Sequence, residues 1–177
     1  MARTGRPRVI QMNDDSILFN KYCITERPKA KDLEDMVDVI AAADVDTLTH
    51  CVHCRWQAMY DSRLVEVAGD LTPEEVQPWE WTHYWQWYAC LRWLIAEGND
   101  PPEIIARRCH EHGMKFLPSL RLNDQHGIHP HAGHYGSFRR DHPEWIVGNK
   151  AMDYGVPEVR GHVLGAVTSW GRSRLGG

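Results

Sequence analysis

Residues 31–52, KDLEDMVDVIAAADVDTLTHCV, decide the fold of this chain. In the first half of the stretch, apolar residues recur at helical spacing: Leu33, Met36, Val37, Val39 and Ile40. This pattern predicts an amphipathic surface helix from Lys31 to Ala43. The second half, from Val45 to Val52, is rich in β-branched residues and predicts a strand. A helix followed directly by a strand is typical of an α/β protein.

The residues before this stretch supply another strand. Arg8 to Met12 form a short apolar run that is stopped by the polar residues Asn13, Asp14 and Asp15. A strand, a helix and a second strand in this order indicate a parallel pair that is joined by a right-handed crossover.

The rest of the chain continues the alternation. Helices are predicted from Tyr84 to Glu97 and from Pro101 to Gly113, and a third strand follows from Met114 to Leu120. Pro118 requires a bulge or an early end in that strand, because proline cannot donate to a sheet ladder. A last helix begins at Pro157, and several glycines after it predict an irregular tail over residues 165–177.

Long polar segments leave from the predicted carboxyl ends of the strands, at residues 53–81 and 121–150, whereas the returns from helix to strand are tight. In α/β folds this asymmetry places the chemistry at the carboxyl ends of the strands. A complete (β/α)8 barrel takes about 250 residues. We therefore expect residues 6–164 to form a partial TIM-type barrel of parallel strands, with about the first three to four units.

Composition excludes several classes of protein. Lys and Arg total 20 of the 177 residues and Asp and Glu total 24, so a net charge of −4 gives no general attraction for nucleic acid. No apolar run approaches the roughly 18 residues of a membrane span, and no apolar signal core follows the basic start. We expect a cytoplasmic protein without membrane contact, whose five cysteines are reduced.

The segment after the third strand is the richest in candidate site residues. Arg121, Asn123, Asp124 and His126 offer a guanidinium, an amide, a carboxylate and an imidazole within six residues. Such groups make the directional hydrogen bonds that recognition of a sugar ring requires. The alternative is a hydrophilic surface loop in which Asn123 and Asp124 only cap a turn.

Further candidates lie at the ends of the first two strands. His50, His53 and Arg55 follow the second strand, and Asp14, with its neighbours Asn13 and Asp15, follows the first. We expect these groups to share the mouth of one pocket with the residues after the third strand. Trp56, Trp79 and Trp81 are candidates for stacking on a sugar ring, whereas the helical spacing of Trp87, Leu91 and Leu94 predicts core packing.

Two patterns suggest metal or redox chemistry, and neither is complete. Four histidines at 126, 129, 131 and 134 could bind zinc, but their spacings match no closed structural site. Cys51 and Cys54 form a Cys-x-x-Cys pair without the helix that would activate a thiol, so burial is the default interpretation. We predict neither a metal nor a cofactor.

Several motifs together resemble a known family. They are the strand from Met114 into Arg121-Leu122-Asn123-Asp124, the preceding Cys109-His110-Glu111-His112-Gly113, then Asp141-His142-Pro143-Glu144-Trp145, Met152-Asp153-Tyr154 and Val156-Pro157-Glu158-Val159-Arg160. Most of residues 6–164 is similar to the amino-terminal half of the glycoside-hydrolase-like (β/α)8 barrels, the glycosyl hydrolase-like family 10 group.

This resemblance implies hydrolysis of O-glycosidic bonds in oligo- or polysaccharides, with Asp124 as a catalytic carboxylate. The family continues after the helix at Pro157 with an acidic strand, and no such motif follows here, so we expect this chain to be truncated before that strand and inactive alone. Two alternatives stay open: a non-catalytic carbohydrate-binding or interaction module, and a metal-dependent barrel hydrolase that uses the histidine-rich loop. A partial barrel also exposes a sheet edge, which predicts self-association.

Overall fold

Strand β2 (Thr47–Cys54) is the centre of the sheet, and it pairs in parallel with β1 (Gln11–Asp14) and with β4 (Lys115–Leu120). The short strand β3 (Gln57–Ala58) turns back and pairs with the carboxyl end of β2 in the antiparallel direction. The computed structural model describes residues 9–15, 27–70, 82–124, 136–148 and 151–172, and only the backbone of residues 82–86 and 171–172. The parallel pairing of the first two strands is confirmed.

Helices α1 (Ala30–Ala42) and α3 (Pro101–Glu111) pack against each other and against the sheet. The apolar stripe of α1, which includes Leu33 and Ile40, joins Leu48 of β2 and Ile105 of α3 in the largest buried cluster. Helix α2 (Thr82–Ala96) adds its buried face to the same cluster. Trp87, Leu91 and Leu94 are buried there, which confirms the core packing predicted from their spacing.

Three polar side chains, Asp38, Arg108 and His112, connect α1 and α3 at the outer side of their contact, and we call them the polar clamp. Asp38 of α1 accepts hydrogen bonds from Arg108 Nε at 2.6 Å and Nη2 at 2.8 Å, and its Oδ1 lies 2.6 Å from His112 Nε2. The hydrogen bonds from Arg108 and then His112 hold the pKa of the Asp38 carboxyl well below its usual range. The clamp fixes the orientation of α3, which leads directly into β4.

The carboxyl-terminal part of the described chain consists of small elements and one long helix. Helix α4 (Ser137–Arg140) and a 3-10 turn (Pro143–Trp145) precede a hairpin of β5 (Ile146–Val147) and β6 (Ala151–Met152), and α5 (Pro157–Arg172) follows. The irregular tail predicted from residue 165 is wrong as far as residue 172. Tertiary contacts stabilise the helix despite the low helix propensity of its glycines. Tyr60 Oη donates to the Ala166 carbonyl at 2.6 Å, and the hydroxyls of Ser62 and Ser169 lie 2.9 Å apart.

Pro118 does not interrupt β4, which continues to Leu120. The irregularity instead falls on the neighbouring strand, where the pairing register shifts between Cys51 and His53. β4 pairs only with β2 among the described residues, so an edge position accommodates the missing N–H of the proline.

The described architecture is mixed α/β, and over those residues the sheet does not close into a barrel. β1 and β4 each pair only with β2 among the described residues, and the self-association expected from an open edge stays a prediction. No helix in the described ranges has the length and apolarity required to cross a bilayer.

Burial of α1 gives a direct test of this fold. Leu33 is fully buried, so Leu33→Ala should lower the free energy of unfolding by about 2–5 kcal/mol through lost burial and a residual cavity. Val39 on the same helix is exposed, so Val39→Ala should change the free energy of unfolding by less than about 0.5 kcal/mol. Urea unfolding followed by circular dichroism measures both, and equal effects would contradict the placement of the helix.

Candidate functional site

The parallel pairing of β1 and β2 brings a buried acid and a histidine together. Asp14 of β1 stands in register with His50 of β2, so both side chains leave the sheet on the same face. Asp14 Oδ2 lies 2.7 Å from His50 Nδ1, and both side chains are buried. A carboxylate at Nδ1 fixes the orientation of the imidazole, as it does in many catalytic and metal-binding sites.

Arg121, directly after β4, connects two carboxylates. Its Nη2 lies 2.5 Å from Asp15 Oδ2, and its Nη1 lies 3.4 Å from Asp124 Oδ2. Burial acts to lower the pKa of Arg121, but the charges of Asp124 and Asp15 together raise it. Because one planar guanidinium contacts both groups, their bonded oxygens lie no more than about 8 Å apart. We call Asp15, Arg121 and Asp124 the carboxylate–arginine cluster.

The two carboxylates of this cluster differ in access to solvent. The side chain of Asp15 is 40% exposed, whereas that of Asp124 is 1% exposed. Asn13 Nδ2 donates to Asp15 Oδ1 at 3.2 Å, and the buried Arg139 of α4 donates from Nη1 to the Asp124 carbonyl at 3.2 Å. The cluster therefore has an open side at Asp15 and a closed side at Asp124. Arg139 was not predicted, because nothing in its local sequence relates it to residue 124.

Asn123 connects the loop after β4 to the hairpin of β5 and β6. Its Oδ1 accepts a hydrogen bond from the backbone N–H of Met152 at 3.1 Å, which holds the hairpin of β5 and β6 against the loop after β4. One amide oxygen that the sequence assigned to sugar binding is thus already engaged in a structural contact. The predicted contact between Asn123 and a saccharide stays a prediction.

The turn between β2 and β3 has an unusual backbone. Arg55 and Trp56 adopt φ angles of 54° and 66°, in the left-handed region that costs a non-glycine residue roughly 1–2 kcal/mol. Gly136 packs against this turn, where an added Cβ would lie 2.6 Å from the Trp56 carbonyl oxygen. The Arg55 guanidinium lies over the Trp87 ring at 5.9 Å from its centroid. Backbone strain of this kind is frequent at functional sites.

Trp56 occupies a different environment from the one that the sequence suggested. It is 2% exposed, and its ring contacts Phe138, Tyr154 and His162 at centroid distances of 5.8, 6.3 and 5.6 Å. This arrangement is that of a core residue and differs from an exposed platform for a sugar ring. The turn geometry explains the difference, because a left-handed residue directs its side chain away from the extended course of the strand.

His53 is buried and electrically neutral. It is 1% exposed, and its ring lies 5.7 Å from the ring of His162. Burial and, to a smaller extent, the charge of the neighbouring His162 lower the pKa of His53 to about 4, and Asp124 opposes the shift. Burial also lowers the pKa of His162, partly offset by its hydrogen bond to the Trp56 carbonyl and by the charge of Glu66.

Several predicted groups lie outside the described residues: His126, the other three histidines of that loop, Trp79 and Trp81. In the described ranges, no group of three or more His, Cys, Asp or Glu side chains could hold a metal ion. Cys51 and Cys54 are buried in the core, and Cys51 Sγ donates to the His53 carbonyl oxygen at 3.4 Å.

Comparison with protein-family models finds no match to this chain, and comparison with curated proteins finds none either. A function has therefore to be argued from the geometry of the site.

The neutral state of His53 predicts a pH dependence of stability. Its pKa in the folded protein, about 4, is below the ordinary value of 6.5, so the unfolded chain binds more protons between these values. The free energy of unfolding should therefore fall as pH decreases from 6.5 to 4, by up to about 3 kcal/mol from this residue.

Urea unfolding of the wild type and of His53→Gln at several pH values measures this effect. The glutamine variant should lose less stability on acidification than the wild type. Parallel curves for the two proteins would contradict a buried neutral imidazole at this position.

Proposed function

We propose that this chain is the carbohydrate-recognising portion of a glycoside-hydrolase-like protein that acts on O-glycosidic bonds. In this proposal the sheet of β1, β2 and β4 represents the first three to four units of a (β/α)8 barrel. The supporting observation is the carboxylate–arginine cluster, in which Arg121 contacts both Asp15 and Asp124 beside the buried Asp14 and His50.

The chemistry of this cluster suits a polyhydroxyl ligand. Carboxylate oxygens accept hydrogen bonds and guanidinium N–H groups donate them, so neighbouring hydroxyls of a sugar ring can satisfy both kinds of group. The partial exposure of Asp15 and Arg121 gives a ligand access to the cluster. A few convergent polar groups on a rigid sheet are the usual basis of specificity in a small-molecule site.

The spacing of the carboxylates is also compatible with glycosidase chemistry. Glycosidases use two carboxyl groups roughly 5–9.5 Å apart, and Arg121 holds Asp15 and Asp124 within about 8 Å of each other. Asp124 is the candidate catalytic carboxylate, and Asp15 is the second carboxyl group at the same site. In the family that the sequence resembles, a further acidic strand is expected after the helix that corresponds to α5.

A non-catalytic binding module is the second candidate. Both carboxylates contact the same guanidinium, and a carboxylate held in an ion pair is less available to transfer a proton or attack a sugar carbon. The same arrangement remains suitable for recognition, because each carboxylate oxygen can accept more than one hydrogen bond.

Substitution of Asp124 tests the proposed site. Asp124→Asn keeps the shape of the side chain and removes its charge, so Arg121 loses one of the two carboxylates that orient it toward the ligand, and saccharide affinity should fall about 10-fold or more. Glycan-array screening identifies a ligand, and titration calorimetry measures its affinity. The matched control is Asp35→Asn, which removes one exposed carboxylate from α1 and should leave binding unchanged.

Release of reducing sugar from the bound glycan separates the two candidates. Release by the wild type and its loss in Asp124→Asn would support the hydrolase, whereas binding without release would support the module. An absence of saccharide binding by the wild type, or equal binding by Asp124→Asn, would contradict the proposed function.

A further inference from the structure

A second arginine, Arg139, reaches the carboxylate–arginine cluster from another segment of the chain. It belongs to helix α4 and is 3% exposed. Its Nη1 donates to the carbonyl oxygen of Asp124 at 3.2 Å, whereas Arg121 Nη1 lies 3.4 Å from the Asp124 carboxylate. One guanidinium therefore contacts the backbone of Asp124, and the other contacts its side chain.

The burial of Arg139 requires an explanation. A charged guanidinium in the protein interior costs free energy unless hydrogen-bond acceptors and opposite charge compensate it. The residue that Arg139 contacts provides both, because Asp124 accepts through its carbonyl and carries a carboxylate that is itself 1% exposed. A hydrogen bond between two buried groups is also stronger than one in water. Arg139 and Asp124 are therefore fixed relative to each other.

Helix α4 is itself anchored at its first turn. The Ser137 N–H donates to Glu66 Oε2 at 2.5 Å, and the Gly136 N–H donates to the Arg55 carbonyl oxygen at 3.1 Å. These bonds tie the start of α4 to the segment that contains the turn between β2 and β3. Arg139 follows two residues after Ser137, so its side chain extends toward Asp124 from a fixed backbone.

Contact with the carbonyl also restrains the carboxylate of Asp124. A hydrogen bond to this carbonyl holds the planar peptide unit after Asp124, and thereby the Cα–Cβ direction from which the carboxylate extends. The 3.4 Å separation between Arg121 Nη1 and Asp124 Oδ2 is longer than the roughly 2.7–2.9 Å of an optimal charged hydrogen bond. That contact alone defines the carboxylate position poorly, and Arg139 supplies a further restraint.

We propose that Arg139 is a positioning residue for the saccharide site. Through the Asp124 carbonyl it holds the Asp124 carboxylate, and with it Arg121, in the orientation that receives sugar hydroxyls. Arg139 does not contact the ligand, because it is buried and acts through Asp124. This inference rests on the proposed function, because it concerns the same site.

Substitution of Arg139 in the full chain tests this role. The probes are cellotetraose, maltotetraose and mannotetraose, and titration calorimetry uses the one that the wild type binds most tightly. Arg139→Met keeps an apolar side chain and removes every N–H donor, so affinity should fall about 10-fold or more. Arg139→Lys keeps the positive charge and a donor, so it should recover part of this loss. Wild-type affinity in Arg139→Met would overturn the proposal.

The matched control is Arg140→Met. Arg140 is the next residue of α4, but it is exposed, and its Nε donates to Asp141 Oδ1 at 3.2 Å. Its replacement removes the same charge from the same helix without touching Asp124. This variant should keep the saccharide affinity of the wild type.

A double-mutant cycle in saccharide affinity separates positioning from a purely structural role. If Arg139 acts through Asp124, Arg139→Met should weaken binding much less in an Asp124→Asn background than in the wild type, because the carboxylate that it positions is already absent. A structural role would lower the melting temperature and leave the two effects on affinity additive. Additive effects would overturn the proposal.

A third arm uses only the wild type and does not depend on the folding of a variant. Titration with the saccharide should shift the side-chain Nε–H signals of both Arg121 and Arg139 in heteronuclear NMR spectra, with the same apparent Kd, because Asp124 connects the two guanidinium groups. The Nε–H signal of Arg108, in the polar clamp between α1 and α3, should stay constant. An Arg139 signal that does not respond to the saccharide would overturn the proposal.

The combined outcomes distinguish this inference from the proposed function. If Asp124→Asn loses saccharide binding while Arg139→Met keeps the affinity of the wild type, Arg139 is not a positioning residue and the proposed function stands. If the wild type binds no saccharide, the proposed function is wrong and this inference fails with it.

Discussion

The parallel register of β1, β2 and β4 is the constraint on which the site depends. Asp14, His50 and Pro118 stand opposite one another in the sheet, where β1 ends while β2 and β4 continue to Cys54 and Leu120. A shift of one residue would turn His50 to the other face and break its contact with Asp14. Leu48, deeper in the same strand, prevents such a shift because it is fully buried in the main core. Packing of the core therefore determines which polar groups meet at the edge.

A second constraint acts after the register of β2 changes at Cys51 and His53. The chain then turns through two left-handed residues, Arg55 and Trp56, and the close approach of Gly136 holds this turn in place. The bulge and the turn together place His53 and Trp56 against His162 of α5. Strained geometry at this point is offset by burial of the aromatic rings, as is common where a site is built into a fold.

The sequence predicted the elements with regular periodicity and missed the contacts that join distant segments. The helix from Lys31 and the strand that contains His50 were recognisable, because their apolar residues repeat with a helical or extended pattern. The parallel topology predicted that Asp14 and His50 lie at the same end of the sheet, and it did not predict the contact between their side chains. No local pattern relates Trp56 to His162, so their contact could not be predicted. The glycines of α5 predicted an irregular tail, because helix propensity alone contains no information about tertiary packing.

A double-mutant cycle between Asp14 and His50 tests the central claim most directly, since the pair exists only if the parallel strands meet in this register. The cycle compares the free energy of unfolding of the wild type, Asp14→Ala, His50→Ala and the double variant in urea. We predict a coupling energy of about 1.5–3 kcal/mol, as for a buried hydrogen bond to a charged group. Effects of the two substitutions that add to within about 0.5 kcal/mol would contradict the register and the site that it creates.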